Sequence, residues 1–319
     1  MISSLSGGMQ RGWKLKVHKI IAISKKTREI VEIIKKIAPT NIPVLLTGET
    51  GTGKDFFAYL LHLFGKGEDK PFVIVDCATL QENLADSDLF GHEKGAFTGA
   101  EEMRIGKFEL AKEGTIYFDR INLLKPSLQG KLLRVLEDGF IFRIGGSERI
   151  NVNARVVASS DEEIYDLVKD AEFRKDLFFR LDGFTIKIPP LRERREEIIL
   201  FWNFFKEEVE RETGIKRELS EEAKKFILEH DWYGNLRELK LAIRRIWLNG
   251  NEGPIKVSEL NFLKEDEIER NNVYNKMLPL REMIKIYVRN VWEKMGKNNS
   301  RTAKVLGITR KTLKKWIRE

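Results

Sequence analysis

The sequence predicts an α/β fold: a parallel sheet with helices on both faces, followed by a helical segment and a C-terminal helix-turn-helix. Three observations carry this. From residue 20 to about 188, short apolar runs bounded by turn residues alternate with helix-length amphipathic stretches, the pattern of strands that pair in parallel through helical crossovers. After Pro189-Pro190 the pattern is helical as far as Asn249, the proline pair marking the boundary. Positive charge gathers at the end: residues 281–319 hold twelve Lys and Arg against three Asp and Glu, a net of +9, so residues 1–280 carry −1 of the total +8. A nearly neutral body with a basic tail points to a polyanion partner at the C-terminus.

The elements follow in order. Residues 1–19 read as an N-terminal lead. The apolar runs 43–46, 72–75, 115–118 and 154–158 are the expected strands. Residues 195–211, 220–230 and 236–248 are the expected helices of the second segment. Ser220 is a helix start, but Ala223 stands at its N3 position, so no full capping box forms. Residues 251–275 are polar with few apolar anchors and read as a linker. Three more helical stretches, 280–295, 300–306 and 309–317, complete the chain. The domain boundaries expected are therefore a lead at 1–19, an α/β domain at 20–189, a helical lid at 190–250, a linker at 251–275 and a helix-turn-helix domain at 276–319.

Composition excludes several classes. Hydrophobic residues make up 42% and charged residues 33% of 319 positions, which supports a packed core and argues against wholesale disorder. A single cysteine, Cys77, rules out an internal disulfide, and with four histidines it cannot build a zinc finger. No apolar run approaches the ~18 residues of a membrane span, and the first residues have no apolar h-region. A cytoplasmic location with no membrane partner is expected.

The first chemical motif is Gly48-Glu49-Thr50-Gly51-Thr52-Gly53-Lys54, a GxxxxGK sequence between a strand-like and a helix-like run. That context is the one a phosphate loop requires. Glycines let backbone N–H groups turn inward around phosphate oxygens, the helix N-terminus adds partial positive charge, and Lys54 adds a full one. Asp55 follows the lysine, so the usual magnesium-binding hydroxyl is missing. A second piece, Gly114 to Asp119, is an apolar strand ending in a carboxylate, and Asp119 is the expected Mg2+ ligand.

Gly95-Ala96-Phe97-Thr98-Gly99-Ala100 resembles the signature GAFTGA loop of bacterial enhancer-binding proteins, the NtrC-like AAA+ activators of sigma-54 RNA polymerase. The phosphate loop from Gly48 to Asp55, FRKDLFFRL at 173–181, PPLRERREEI at 189–198 and WYGNLREL at 232–239 resemble further blocks of that family, in family order. The resemblance covers about residues 20–250, with a family-type tail after it. It implies an AAA+ domain with a helical lid that binds ATP and Mg2+. It implies that Phe97 and Thr98 sit at the tip of a loop contacting sigma-54, with an aromatic anchor beside a polar handle. Arg174 and Arg180 match arginine fingers that reach a neighbouring subunit's γ-phosphate, and Arg237 matches the sensor arginine of the lid. Fingers acting in trans imply a homo-oligomeric ring, usually a hexamer. No receiver or ligand-sensing domain is expected before Ile20, since nineteen residues cannot fold as one.

The departures from the family pattern cluster. The family's magnesium strand ends Asp-Glu, the Glu activating water, whereas here Arg120 follows Asp119. Arginine stays protonated and cannot act as that base. Asp76 replaces an Asn that couples the family's Glu to the contact loop, and Ser159-Ser160-Asp161 replaces a sensor that usually reads Ala-Thr-Asn. Asp76 and Arg120 are expected to form an ion pair at the strand ends. Nucleotide binding is retained in this reading, and ordinary hydrolysis is in question.

In the tail, residues 300–313 read as helix, glycine turn, helix, with Ala303, Leu306, Ile308 and Leu313 as packing positions and Thr309 as N-cap. This resembles the Fis-type helix-turn-helix of the same family. Arg310, Lys311, Thr312, Lys314 and Lys315 would face double-stranded DNA. The expected function is a DNA-binding regulator that binds ATP and engages sigma-54 holoenzyme to promote open-complex formation. The alternative is a non-hydrolysing, ATP-switched DNA-binding or scaffold subunit, or a repressor, and Arg120 is the residue that favours it.

Overall fold

The computed structural model describes residues 24–161, 164–249 and 253–263, and beyond them 284, 285, 287–289, 291, 292, 295, 298–310, 312, 313 and 316. The lead at 1–19 lies outside the described residues. The chain divides into two units, Met1–Lys256 and Val257–Glu319.

The first unit is built on a five-stranded parallel sheet. Its strands are β1 (Val44–Thr47), β2 (Phe72–Asp76), β5 (Thr115–Asp119), β8 (Arg155–Ser160) and β9 (Phe184–Lys187), in the order β2-β5-β8-β1-β9. Four of these coincide with the apolar runs read from sequence. The fifth, β9, has no apolar run: Phe184 and Ile186 alternate with Thr185 and Lys187, and only Ile186 is buried. Two short antiparallel pairs were not expected: β3 (Gly91–His92) with β4 (Arg104–Ile105), and β6 (Phe140–Ile141) with β7 (Ile150–Asn151).

Parallel strands are covered on both faces, so their side chains are apolar on both. On one face Leu45, Ile116, Phe118, Val156 and Ala158 pack with Phe108, Leu128, Leu132 and Leu177 in one core cluster. The alternate residues Leu46, Tyr117 and Val157 are also fully buried, on the side covered by the helix Lys54–Gly65. Arg155 is 1% exposed, and its described hydrogen-bond acceptors are carbonyls, not carboxylates. Its guanidinium donates to those of Ala38 and Ile37, at the end of the helix Lys25–Ile37. Free C-terminal carbonyls and the helix dipole supply the negative end it needs.

The lid consists of α8 (Ile198–Thr213), α9 (Glu221–Glu229) and α10 (Asn235–Asn249), numbered after the seven helices among the described residues of the α/β portion. Ile198, Phe201, Trp202, Phe205 and Val209 recur at helical spacing and form the buried stripe of α8. Ser220 caps α9 by accepting the Ala223 N–H, as its sequence position requires, a contribution of roughly 1 kcal/mol. The expected linker begins with an ordered anchor: Ile255 is fully buried and bridges Leu219, and Arg217 donates to the Gly253 carbonyl. Leu260 and Leu263 are buried as well, but a few apolar residues scattered through a polar stretch are too weak a pattern to read as structure.

The second unit has its own small core. Val288, Ala303 and Leu313 are buried, with Ile284, Trp292, Leu306, Ile308 and Trp316 against them. A helix at Asn299–Val305 leads to Gly307, whose φ of +64° makes the turn, and the Thr309 hydroxyl accepts the Thr312 N–H. No described helix is long and apolar enough to cross a membrane.

Candidate nucleotide site and contact loop

The phosphate loop runs from the end of β1 into the helix Lys54–Gly65. Gly48, Gly51 and Gly53 have φ of +144°, +82° and +94°, values that L side chains rarely adopt. Space excludes a side chain as well: a Cβ on Gly48 would lie 2.5 Å from the Ile188 carbonyl oxygen, and one on Gly51 would lie 2.4 Å from that of Gly234. Backbone, not side chains, therefore lines this cradle. It ends in Lys54, which is 8% exposed. Lys54 Nζ donates to the Gly48 carbonyl at 2.5 Å and to Asp161 Oδ1 at 2.8 Å. The glycine cradle, helix N-terminus and buried ammonium fit a nucleotide's phosphates.

The lid grips this loop through groups far apart in sequence. Arg192 donates to both Glu49 carboxylate oxygens, at 2.8 and 2.5 Å, and this pairing holds the Glu49 carboxyl below its ordinary range. Arg194, 1% exposed, donates to the Thr52 carbonyl at 2.7 Å and pairs with buried Glu197. Asn235 is fully buried with φ +54°. Its amide accepts the Leu191 N–H and donates to the Thr50 carbonyl. Beside these contacts a cavity of about 260 Å3 opens against Gly53, Phe56, Phe205, Leu236, Arg237 and Lys240. Arg237, the expected lid sensor, is exposed on its rim.

The other half of the site lies at the ends of β2, β5 and β8. Asp76 and Asp119 are register partners. Asp119 Oδ1 accepts from the Ser159 hydroxyl at 2.7 Å and from Tyr117 at 3.1 Å. Arg120 turns into the left-handed region, φ +56°, which brings its N–H to Ser159 Oγ at 3.1 Å. The expected pair with Asp76 is formed: Arg120 Nη2 donates to both Asp76 oxygens at 2.6 Å. One nitrogen straddles the carboxylate, rather than two in a fork, because Nε faces Asp119 at 3.7 Å. The Asp76 bond, the largest effect, outweighs desolvation and with lesser help from the surrounding carboxylates raises the Arg120 pKa above its ordinary value. Among the described residues no cluster of three His, Cys, Asp or Glu could hold a metal. Asp119 alone suits Mg2+ that takes its other ligands from phosphate and water.

The remaining expected residues lie apart. Arg174 engages Asp176 at 2.8 Å, and Arg180 donates to the Leu136 carbonyl at 2.8 Å. The 95–100 loop is a tight, self-bonded turn: the Gly95 N–H reaches the Ala100 carbonyl and the Ala100 N–H reaches that of Phe97. Gly95 and Gly99 have φ of +79° and +101°. Phe97 is 40% exposed and packs edge-on to His92 at 5.0 Å between ring centres, while Thr98 is exposed. In the tail Arg310 is exposed and Thr312 is half-buried. Lys311, Lys314 and Lys315 lie outside the described residues.

The sequence places Glu49 in the phosphate loop, but Arg192, Arg194 and Asn235 carry no role that sequence pattern alone assigns. Nor does pattern place Asp161 on Lys54. These contacts join positions more than a hundred residues apart, and no spacing rule links them.

A parallel sheet with a glycine phosphate loop and a helical lid folded onto that loop defines an AAA+ nucleotide-binding protein. Residues 20–187 match the sigma-54 interaction domain, and residues 192–274 match the AAA+ ATPase lid domain. The chain belongs to this family of sigma-54-dependent transcriptional activators. It is 39% identical over 299 residues to the phenol regulator MopR of Acinetobacter guillouiae, covering 90% of this chain and 53% of MopR. It is 36% identical over 297 residues to the regulator ZraR of Salmonella typhimurium, covering 92% and 67%. The crystal structure of NtrX from Brucella abortus in complex with ATP superposes with a TM-score of 0.67 at 29% identity, over 92% of this chain and 67% of NtrX. The chain spans about half the length of MopR and of FlbD from Caulobacter vibrioides.

Proposed function

We propose that this protein is a DNA-binding transcription regulator that binds ATP and presents its 95–100 loop to sigma-54 RNA polymerase. The observation that carries this reading is the exposed Phe97-Thr98 tip on the same unit as the phosphate cradle. Gly48 to Asp55 hold the nucleotide, with Lys54 on its terminal phosphates and Asp119 on Mg2+. That metal supplies charge neutralisation between phosphate oxygens when it is bound. Arg237 faces the nucleotide from the lid. Arg174 and Arg180 lie on a surface that meets a neighbouring subunit, in a homo-oligomeric ring of six. The domains run 20–189, 190–250 and 276–319, and the last is a helix-turn-helix placing Arg310, Lys311, Thr312, Lys314 and Lys315 on DNA. A compact core, a left-handed Gly307 and a capped second helix support that assignment.

Thr98→Ala tests the reading: it should abolish capture of sigma-54 while leaving nucleotide and DNA affinity unchanged. Undiminished sigma-54 capture by this variant would remove the loop from the interface.

The Arg120–Asp76 pair favours a second reading, in which the protein binds ATP without turning it over and acts as a switch, scaffold or repressor. No glutamate follows Asp119, and a carboxylate held by arginine is a weak proton acceptor. An ATPase assay on the purified protein, with and without DNA, separates the two.

A further inference from the structure

Both cations at the strand-end side of the cradle are already matched by carboxylates of the same chain. Arg120 holds Asp76 and faces Asp119. Lys54 Nζ is held by Asp161 Oδ1 at 2.8 Å, and the Thr50 hydroxyl also points at Asp161, at 3.3 and 3.4 Å. Asp161 follows β8, which lies between β1, the strand that feeds the phosphate loop, and β5, the strand that ends in Asp119. Asp161 also acts electrostatically on Arg120. Its carboxylate is thus held on the loop lysine at the end of the strand that pairs with β5.

The terminal phosphate of a triphosphate would meet Lys54 where Asp161 now holds it. Loop backbone and helix N-terminus surround the inner phosphates, while the lysine reaches outward to the terminal ones. A neutral amide at this position could donate to a phosphate oxygen. An ionised carboxylate has only acceptors and repels phosphate at close range in a partly buried site.

We propose that Asp161 is a specificity-determining residue that makes this a nucleoside-diphosphate-preferring site. This rests on the reading of the cradle as a nucleotide site. A diphosphate keeps its phosphates within the loop and can meet Lys54 through another of its three N–H donors, leaving the bond to Asp161 in place. A triphosphate must break that pair and then lie against the displaced carboxylate. The bound state favoured in this chain is therefore the product-like one, in keeping with a site that lacks the water-activating glutamate.

The test is calorimetric titration of the full chain with ADP and with the non-hydrolysable β,γ-imido analogue of ATP, with and without Mg2+. ADP should bind at least about tenfold more tightly than the analogue. Asp161→Asn should raise affinity for the analogue about tenfold or more and leave ADP within about threefold, and Asp161→Ala should shift the ratio in the same direction. Preference for the analogue in the parent protein overturns the proposal, including a preference seen only with Mg2+, which would make Asp161 a metal ligand instead. So does an equal shift for both nucleotides in both variants. If neither nucleotide binds the folded parent or either variant, the nucleotide reading itself fails and takes this one with it. Loss of both nucleotides in Lys54→Ala alone shows that the cradle is sound and that only the specificity is at issue.

Discussion

The two halves of the nucleotide site use the same kinds of side chain in different surroundings. On the lid side, Arg194 and Glu197 are 2% and 1% exposed, and Asn235 is fully buried. On the strand-end side, Arg120 and Asp76 are 40% and 33% exposed. Breaking a buried pair leaves an uncompensated charge or polar group and costs several kcal/mol, whereas an exposed pair contributes ~0–1 kcal/mol. Substitution is therefore expensive on the lid side and cheap at the strand ends. Asp76, Arg120 and Asp161, three of the positions that depart from the resembled pattern, lie on this part-exposed side, while Ser159 and Ser160 beside them are buried.

The strongest test of this contrast is Lys54→Ala. It removes the only full positive charge within the loop, and charge-assisted hydrogen bonds contribute ~1.5–3 kcal/mol. ATP affinity measured by calorimetry should fall about a hundredfold or more. Unchanged affinity would show that the cradle is not the binding half.

Arg120→Glu probes the other half. A positioned general base contributes roughly a hundredfold or more, so steady-state phosphate release should rise at least about tenfold if the remaining parts are competent. Combining it with Asp76→Asn removes the carboxylate that would repel the new glutamate. If the double variant is as slow as the parent, the strand-end half has lost more than its base.

Asn235→Ala reports on the clamp. It leaves the Leu191 N–H without its side-chain acceptor and puts alanine at a φ of +54°. Stability should drop by about 1–3 kcal/mol, read from denaturant unfolding. The smallest effect is expected for Asp76→Asn alone, within about 1 kcal/mol in the same assay. A larger loss there than for Asn235→Ala would reverse the comparison.

Local pattern was enough for much of the molecule. Strands buried on both faces show as continuous apolar runs, which is why β1, β5 and β8 are legible, and edge strand β2 carries the run 72–75 although only Val75 is buried. The glycine loop and Ser220 cap announce themselves because each needs particular residues at short spacing. The Asp76–Arg120 pair could be anticipated because the resembled family has interacting residues at these two positions, both at strand ends. Tertiary structure alone decided the rest. Edge strand β9 takes its place by pairing with β1, without an apolar run of its own. Arg155 is buried because helix-end carbonyls await it. Asp161 reaches Lys54, and Arg192, Arg194 and Asn235 reach the phosphate loop, across 107 to 185 positions of chain. A sequence records periodicity and short-range chemistry. Contacts of this separation exist only after the sheet order and the lid's docking have brought their partners together.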